Sequence, residues 1–206
     1  MLPRPHDLIW LSNPQALQGE LPDWVAQQWQ PTLPLVVRRD MHPAGLIAVG
    51  IRGIGRERRA AAWLPATAVA RCVTPESLAN VALLLRSVFV SQPPVQGAIL
   101  LAQRAWPWQW GITGSCGYAL ATTEVPVLHS GSDLDLLIRA PQPIAPEKFQ
   151  AWQQQLLRLP CRADTQVETP CGAFALNEWL RDGRALLKTN RGPRLVKDPW
   201  QAETEV

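Results

Sequence analysis

The chain has 206 residues, of which 47% are hydrophobic and 18% charged, the balance of a globular protein with room for one large domain or two small ones. No run reaches 18 consecutive apolar residues, and the N-terminal stretch MLPRPHDLIWLSNPQ has neither an apolar signal core nor a small-residue cleavage site. Both features argue against a membrane span or secretory leader and for a cytoplasmic protein. A net charge of +3 falls short of the basic stripe of a nucleic-acid binder, although Arg outnumbers Lys 17 to three and Arg is the better bidentate partner for phosphate.

In chain order, LPLVVRRD (33–40) and GLIAVGIRG (45–53) are short β-type runs joined by MHPA, a hairpin-like connection. RRAAAWL (58–64) follows as a third strand, and ATAVARCV (66–73) has no decisive period. Thr74 then caps a helix with Pro75 in its first turn and ESLANVALLLRSVFV as its apolar stripe. SQPPVQ (91–96) is a loop, and VQGAILLAQRAW (95–106) is helical. WGITGSCGYALATTEV reads as a turn followed by a strand, and LDLLIRA as a second strand. After the loop APQPIAP, PEKFQAWQQQLLRL (146–159) sets Phe149, Trp152, Leu156 and Leu157 at helical spacing. CRADTQVET (161–169) alternates as a strand, and AFALNEWLRDG (173–183) is a short helix with Gly183 near its end. LLKTNRGPR reads as a charged loop, with phosphate contact by Lys188 and Arg191 as the alternative. The fold class is α+β, with a strand-rich N-terminal domain over 1–76 and an α/β-type C-terminal domain with one sheet over 77–206.

Several residue types carry no site by spacing alone. Cys72, Cys116, Cys161 and Cys171 form no C-x-x-C pair, which argues for reduced thiols over zinc or thioredoxin-type chemistry. His6, His42 and His129 share no ligand spacing, and His129 is read as an ordinary loop histidine. Trp106, Trp108 and Trp110 recur at period two, and aromatic stripes of this kind usually pack.

GSDLDLLIRA (131–140) is different. Asp133 and Asp135 stand one residue apart at the head of an apolar strand, so both point to one face, about 6.5–7 Å apart along the chain. Like charges that close are costly unless a cation lies between them. Mg²⁺ prefers oxygen ligands and binds through one or two carboxylates plus substrate phosphates, which makes it the candidate cofactor. Upstream, TGSCGY offers Gly114 for close backbone approach to a phosphate and Ser115 as a hydroxyl donor.

Gly114-Ser115 followed by Ser132-Asp133-Leu134-Asp135-Leu136 resembles the signature of the nucleotidyltransferase superfamily that includes DNA polymerase beta. The resemblance implies a nucleotidyltransferase-like C-terminal domain with a mixed sheet. It implies that the Gly-Ser turn holds a triphosphate, with Gly131-Ser132 as the competing turn. It further implies that the aspartate pair binds Mg²⁺ and that a third carboxylate comes from a later strand. Asp164 is preferred for that role, with Glu168 as the alternative. The ordered set RPHDLIWL (4–11), VVRRD (36–40), GLIAVGIRG, RCVTPE (71–76), WGITGSCGYAL, SDLDLLIRAP and ETPCGAFALNEW (168–179) is similar to the malonate decarboxylase holo-acyl-carrier-protein synthases, a family of phosphoribosyl-dephospho-CoA transferases.

That resemblance implies transfer of a prosthetic group from 2'-(5-triphosphoribosyl)-3'-dephospho-CoA to a serine of the malonate decarboxylase acyl carrier protein, with release of pyrophosphate. Asp133, Asp135 and Asp164 would be the catalytic and metal-binding residues, and Gly114, Ser115 and Ser132 would contact the donor. The stretch GIRGIGRERR (50–59), with Arg52, Arg56, Arg58 and Arg59, is the candidate phosphate-binding loop of the first domain, against the plainer reading of a solvated hairpin tip. Arg139 either faces the site or pairs with Glu124. No nucleic-acid or membrane partner is expected. The competing functions are a nucleotidyltransferase acting on another acceptor and a catalytically inactive binding module.

Overall fold

The computed structural model describes residues 2–54, 57–122 and 127–201. The chain forms two compact units, Met1–Thr74 and Pro75–Val206. Each has its own sheet, one antiparallel and one mixed, so the protein is α+β.

The first unit is a five-stranded antiparallel sheet. Its strands are β1 (Leu8–Leu11), β2 (Leu35–Val37), β3 (Ile47–Arg52), β4 (Arg59–Leu64) and β5 (Val69–Val73), in the order β4-β3-β2-β1-β5. Period-two alternation puts Ile9, Leu35, Val49, Ile51, Ala62 and Leu64 on the buried side, all without solvent exposure. The short helix α1 (Asp23–Gln28) adds Val25 to this core. Of the stretch 66–73, ambiguous by sequence, residues 66–68 form a 3-10 turn and 69–73 become an edge strand that pairs with β1.

The second unit holds α2 (Pro75–Leu78), α3 (Val81–Arg86), α4 (Pro93–Ala102), β6 (Gln109–Ile112), α5 (Gly114–Thr122), β7 (Leu134–Arg139), α6 (Gln150–Leu156), β8 (Ala163–Glu168), β9 (Ala173–Ala175), α7 (Leu176–Asp182), β10 (Ala185–Thr189) and β11 (Gly192–Val196). Its sheet runs β11-β10-β9-β8-β7-β6. Only β7 and β8 are parallel, joined by a crossover that contains α6, and every other pair is antiparallel.

One sheet face is apolar. Leu134, Leu136, Ile138, Thr165 and Val167 lie on it, all buried. Gly97 of α4 comes up against Leu134, and Trp152 of α6 donates its indole N–H to Thr165 Oγ1 at 3.0 Å. Trp106 and Trp110 pack their rings on Trp152 at 4.7 and 5.6 Å, and Trp108 packs on Phe149 at 4.9 Å. The period-two tryptophans, each partly buried, thus pack on the core residues Trp152 and Phe149. The opposite face carries Asp135, Arg139, Asp164, Gln166 and Glu168, by the same alternation.

Five expected elements differ. SQPPVQ, expected as a loop, supplies the first turn of α4 from Pro93, and Ala173–Ala175, expected as helix, is strand β9. The single helix after Thr74 is two, because Asn80 turns extended (φ −93°, ψ 122°) and accepts from the Leu83 N–H as a new N-cap. The run GSCGYALAT, expected as a turn and strand, is helix α5. Its buried Cys116, Ala119 and Leu120 follow helical spacing, a period blurred by the small residues between them. The charged loop LLKTNRGPR is part of the hairpin β10–β11, paired from Ala185↔Val196 to Thr189↔Gly192. No helix among the described residues is long and apolar enough to cross a membrane.

Candidate active site

The parallel pair β7–β8 sets the site. Its register places Asp135 directly beside Asp164, so the two carboxylates leave the same face of neighbouring strands. Asp133 precedes β7 by one residue and shares the parity of Asp135. The same register puts Glu168, the alternative third carboxylate, beside Arg139 at the far end of the pair. Glu168 is buried and accepts from Gln166 Nε2 at 3.3 Å. Asp164 is half exposed and pairs with Arg162 Nη2 at 3.3 Å. Residues 162 and 164 share a face by strand parity, a signal present in the sequence and not used.

Gly114 closes this end of the sheet. Thr113 donates its N–H to the Asp135 carbonyl at 2.9 Å, with its hydroxyl on the same oxygen at 3.3 Å. The chain then turns through Gly114 in the left-handed region, φ +61°. A Cβ there would fall 2.7 Å from Asp135 Cγ, so only glycine fits without displacing the carboxylate. Ser115 and Cys116 follow in the first turn of α5, and the N-terminal turn of a helix favours anions.

Gly131-Ser132, the competing turn, is committed to local structure. Ser132 is buried; its N–H donates to the His129 carbonyl at 2.9 Å, and its Oγ accepts from the His129 N–H at 3.1 Å. His129 Nδ1 accepts from the Gly131 N–H at 3.2 Å. These bonds fix the entry of Asp133 into the strand.

Two thiols flank the carboxylates. Burial pushes Cys116 up to about 12, with further contributions from Cys161 and Asp135. Cys161 is also raised, by burial first and Asp133 second. Both remain neutral near physiological pH and add no charge to the site. Their role at this end of the sheet was not read from the sequence, since it follows from tertiary proximity.

Arg139 pairs with Glu76 of α2 at 2.9 Å. Glu124, the partner considered from the sequence, lies outside the described residues, as does Arg56. The other candidate arginines belong to the first unit. Arg52 and Arg59 stand opposite each other across β3–β4. The Arg58 carbonyl accepts from the Gly53 N–H at 3.0 Å, closing the loop between them.

The donor set of Asp133, Asp135 and Asp164 is hard oxygen. Among the described residues no three His, Cys, Asp or Glu side chains form a ready-made metal cage. Mg²⁺ does not require one, because it takes one or two carboxylates and fills its shell with water and substrate phosphate. The residues present fit that ion.

A family model for the C-terminal domain of the phosphoribosyl-dephospho-CoA transferase MdcG matches residues 83–199, and one for the MdcG N-terminal domain matches residues 4–75. The chain is 63% identical over 201 residues to a phosphoribosyl-dephospho-CoA transferase of Klebsiella pneumoniae, with 98% of each chain covered. It is 45% identical over 208 residues to one of Azotobacter vinelandii (98% of this chain, 96% of the relative). It is 40% identical over 200 residues to one of Pseudomonas syringae pv. tomato (95% and 92%). No solved structure matches the chain.

Proposed function

Because the chain belongs to the phosphoribosyl-dephospho-CoA transferase family, we propose that it moves the 2'-(5-phosphoribosyl)-3'-dephospho-CoA group from its triphosphate precursor to a serine of the malonate decarboxylase acyl carrier protein. The serine oxygen forms a bond to the α-phosphorus, the bond from that phosphorus to pyrophosphate breaks, and the serine proton passes to a carboxylate. The observation that carries this reading is the side-by-side register of Asp135 and Asp164 beneath the Gly114 turn. It supports a site with acidic side chains and a glycine turn at one end of one sheet face.

Asp133, Asp135 and Asp164 would hold Mg²⁺, which when bound offsets the charge of the triphosphate. Asp164 is a half-exposed carboxylate and is suited to take the serine proton. The Gly114-Ser115 turn at the head of α5 orients the leaving pyrophosphate through backbone N–H groups. Ser132 is assigned to positioning Asp133. Arg52, Arg56, Arg58 and Arg59 are proposed to bind donor phosphate from the first unit. The cytoplasm is the proposed compartment, consistent with four free cysteines.

The test is intact mass of the apo carrier protein after incubation with this enzyme, Mg²⁺ and the triphosphate donor, beside an Asp133→Ala/Asp135→Ala control. The expected result is a mass gain of one phosphoribosyl-dephospho-CoA, release of pyrophosphate and a silent control. No gain with verified components would sink the assignment.

A further inference from the structure

The hairpin β10–β11 has an outward face that the chemistry above does not use. Between Gly183 and Lys197 the chain carries Arg184, Lys188, Arg191, Arg194 and Lys197 and no acidic residue. Pairing sets Leu186 opposite Leu195 and Lys188 opposite Pro193. Leu186 is 42% and Leu195 55% exposed, while Ala185, Leu187 and Val196 on the other side are buried. The exposed side is thus a cross-strand leucine pair rimmed by Arg184, Lys188 and Lys197. That is the anatomy of a docking patch, with an apolar centre and a charged edge.

Its placement matters more than its composition. The register runs in one row through Arg139↔Glu168, Glu168↔Ala173, Ala173↔Lys188 and Lys188↔Pro193. Residues in one row point to one face, so Lys188 leaves the same face as Glu168. By period two, Leu186 and Leu195 share that face with Asp164 and Asp135. At about 4.8 Å per strand, β10 and β11 lie about 10 and 14 Å from β8. One helix, about 10 Å across, spans that gap.

We infer that the exposed face of β10–β11 docks the protein acceptor through an acidic helix bearing an exposed apolar side chain, which sets the acceptor serine over the carboxylates. This rests on the group-transfer reading above. The cations supply steering and register, and the leucine pair supplies the buried centre. Among the described residues no ion pair occupies Lys188 or Lys197, so both are available to a partner.

The experiment titrates apo malonate decarboxylase carrier protein into the full-length wild type and into Lys188→Glu/Lys197→Glu and Leu186→Ser variants by calorimetry. It also measures KM for the carrier and for the donor. Circular dichroism melts verify folding, and Lys188→Ala stands in if the double variant does not fold. The expected result is a carrier Kd and KM raised about tenfold or more by charge reversal, with the donor KM unchanged. Folded variants that bind the carrier as wild type does overturn the docking surface, as does a wild type that binds no carrier. A wild type that binds carrier through this face but transfers nothing overturns the group-transfer reading and leaves the surface standing.

Discussion

Gly114→Ala tests the geometry that ties the turn to the carboxylate. Two costs are separable. The first is backbone: a residue with a Cβ at φ +61° costs about 1–2 kcal/mol in the left-handed region. The second is steric: the new Cβ falls 2.7 Å from Asp135 Cγ, whereas carbon atoms rest about 3.5–4.0 Å apart. Asp135 must therefore retreat by about 1 Å, and forced overpacking of this kind costs about 1–3 kcal/mol more. Gly183→Ala is the matched control, because Gly183 has φ +64° and nothing within 4 Å of a Cβ. Urea denaturation of both variants should show Gly114→Ala less stable than Gly183→Ala by the steric increment alone. A reacting group misplaced by about 1 Å loses about a hundredfold in rate, so kcat for carrier modification should fall by that scale in Gly114→Ala and stay near wild type in Gly183→Ala. Equal stability losses together with an active Gly114→Ala would refute the close approach of turn and carboxylate.

Asp164→Asn should lower kcat by about 10²–10⁴-fold if Asp164 takes the serine proton, while Glu168→Gln should leave kcat near wild type; the reverse ranking in single-turnover assays would transfer the role to Glu168. Asp135→Asn should abolish transfer, read as the absence of a mass gain on the carrier protein. Cys116, raised to about 12 by burial, stays almost wholly protonated from pH 7 to 9, so its alkylation by iodoacetamide should stay negligible over that range while the exposed Cys72 reacts; mass spectrometry of tryptic peptides decides. Trp152→Phe removes the indole donor from buried Thr165 Oγ1 and should cost about 1–3 kcal/mol in urea unfolding for the unsatisfied hydroxyl, with kcat little changed.

The site was legible in the sequence where it is local. Asp-x-Asp on an apolar strand fixes two side chains on one face whatever the fold, and Gly114 marks a turn by its conformational freedom. Asp164 was joined to Asp133 and Asp135 through the superfamily resemblance, on a strand that CRADTQVET marks by alternation, but the register that sets it beside Asp135 was not readable. That pairing joins strands 29 residues apart in sequence, and no local pattern specifies parallel register. Helix α5 was misread because Gly, Ser and Ala dilute the apolar period, and the burial of Cys116 is a tertiary fact. The hairpin β10–β11 hid behind its charges. Its turn was signalled by Thr189, whose hydroxyl accepts from the Arg191 N–H at 3.1 Å and donates to the Gly192 carbonyl at 2.7 Å.

The two faces of the second sheet divide the labour. On one, Leu134, Leu136, Ile138 and Val167 are buried under α4 and α6 with the tryptophan cluster, and this face supplies the stability. On the other, Asp135 and Asp164 stand side by side, a like-charge pair that opposes folding. Arg162 offsets it weakly, since its side chain is 73% exposed and solvent screens the pair. Cys116 and Cys161 stay protonated and compensate nothing. A cation bound between two such carboxylates would favour their charged forms, which is the physical basis of the proposed metal site.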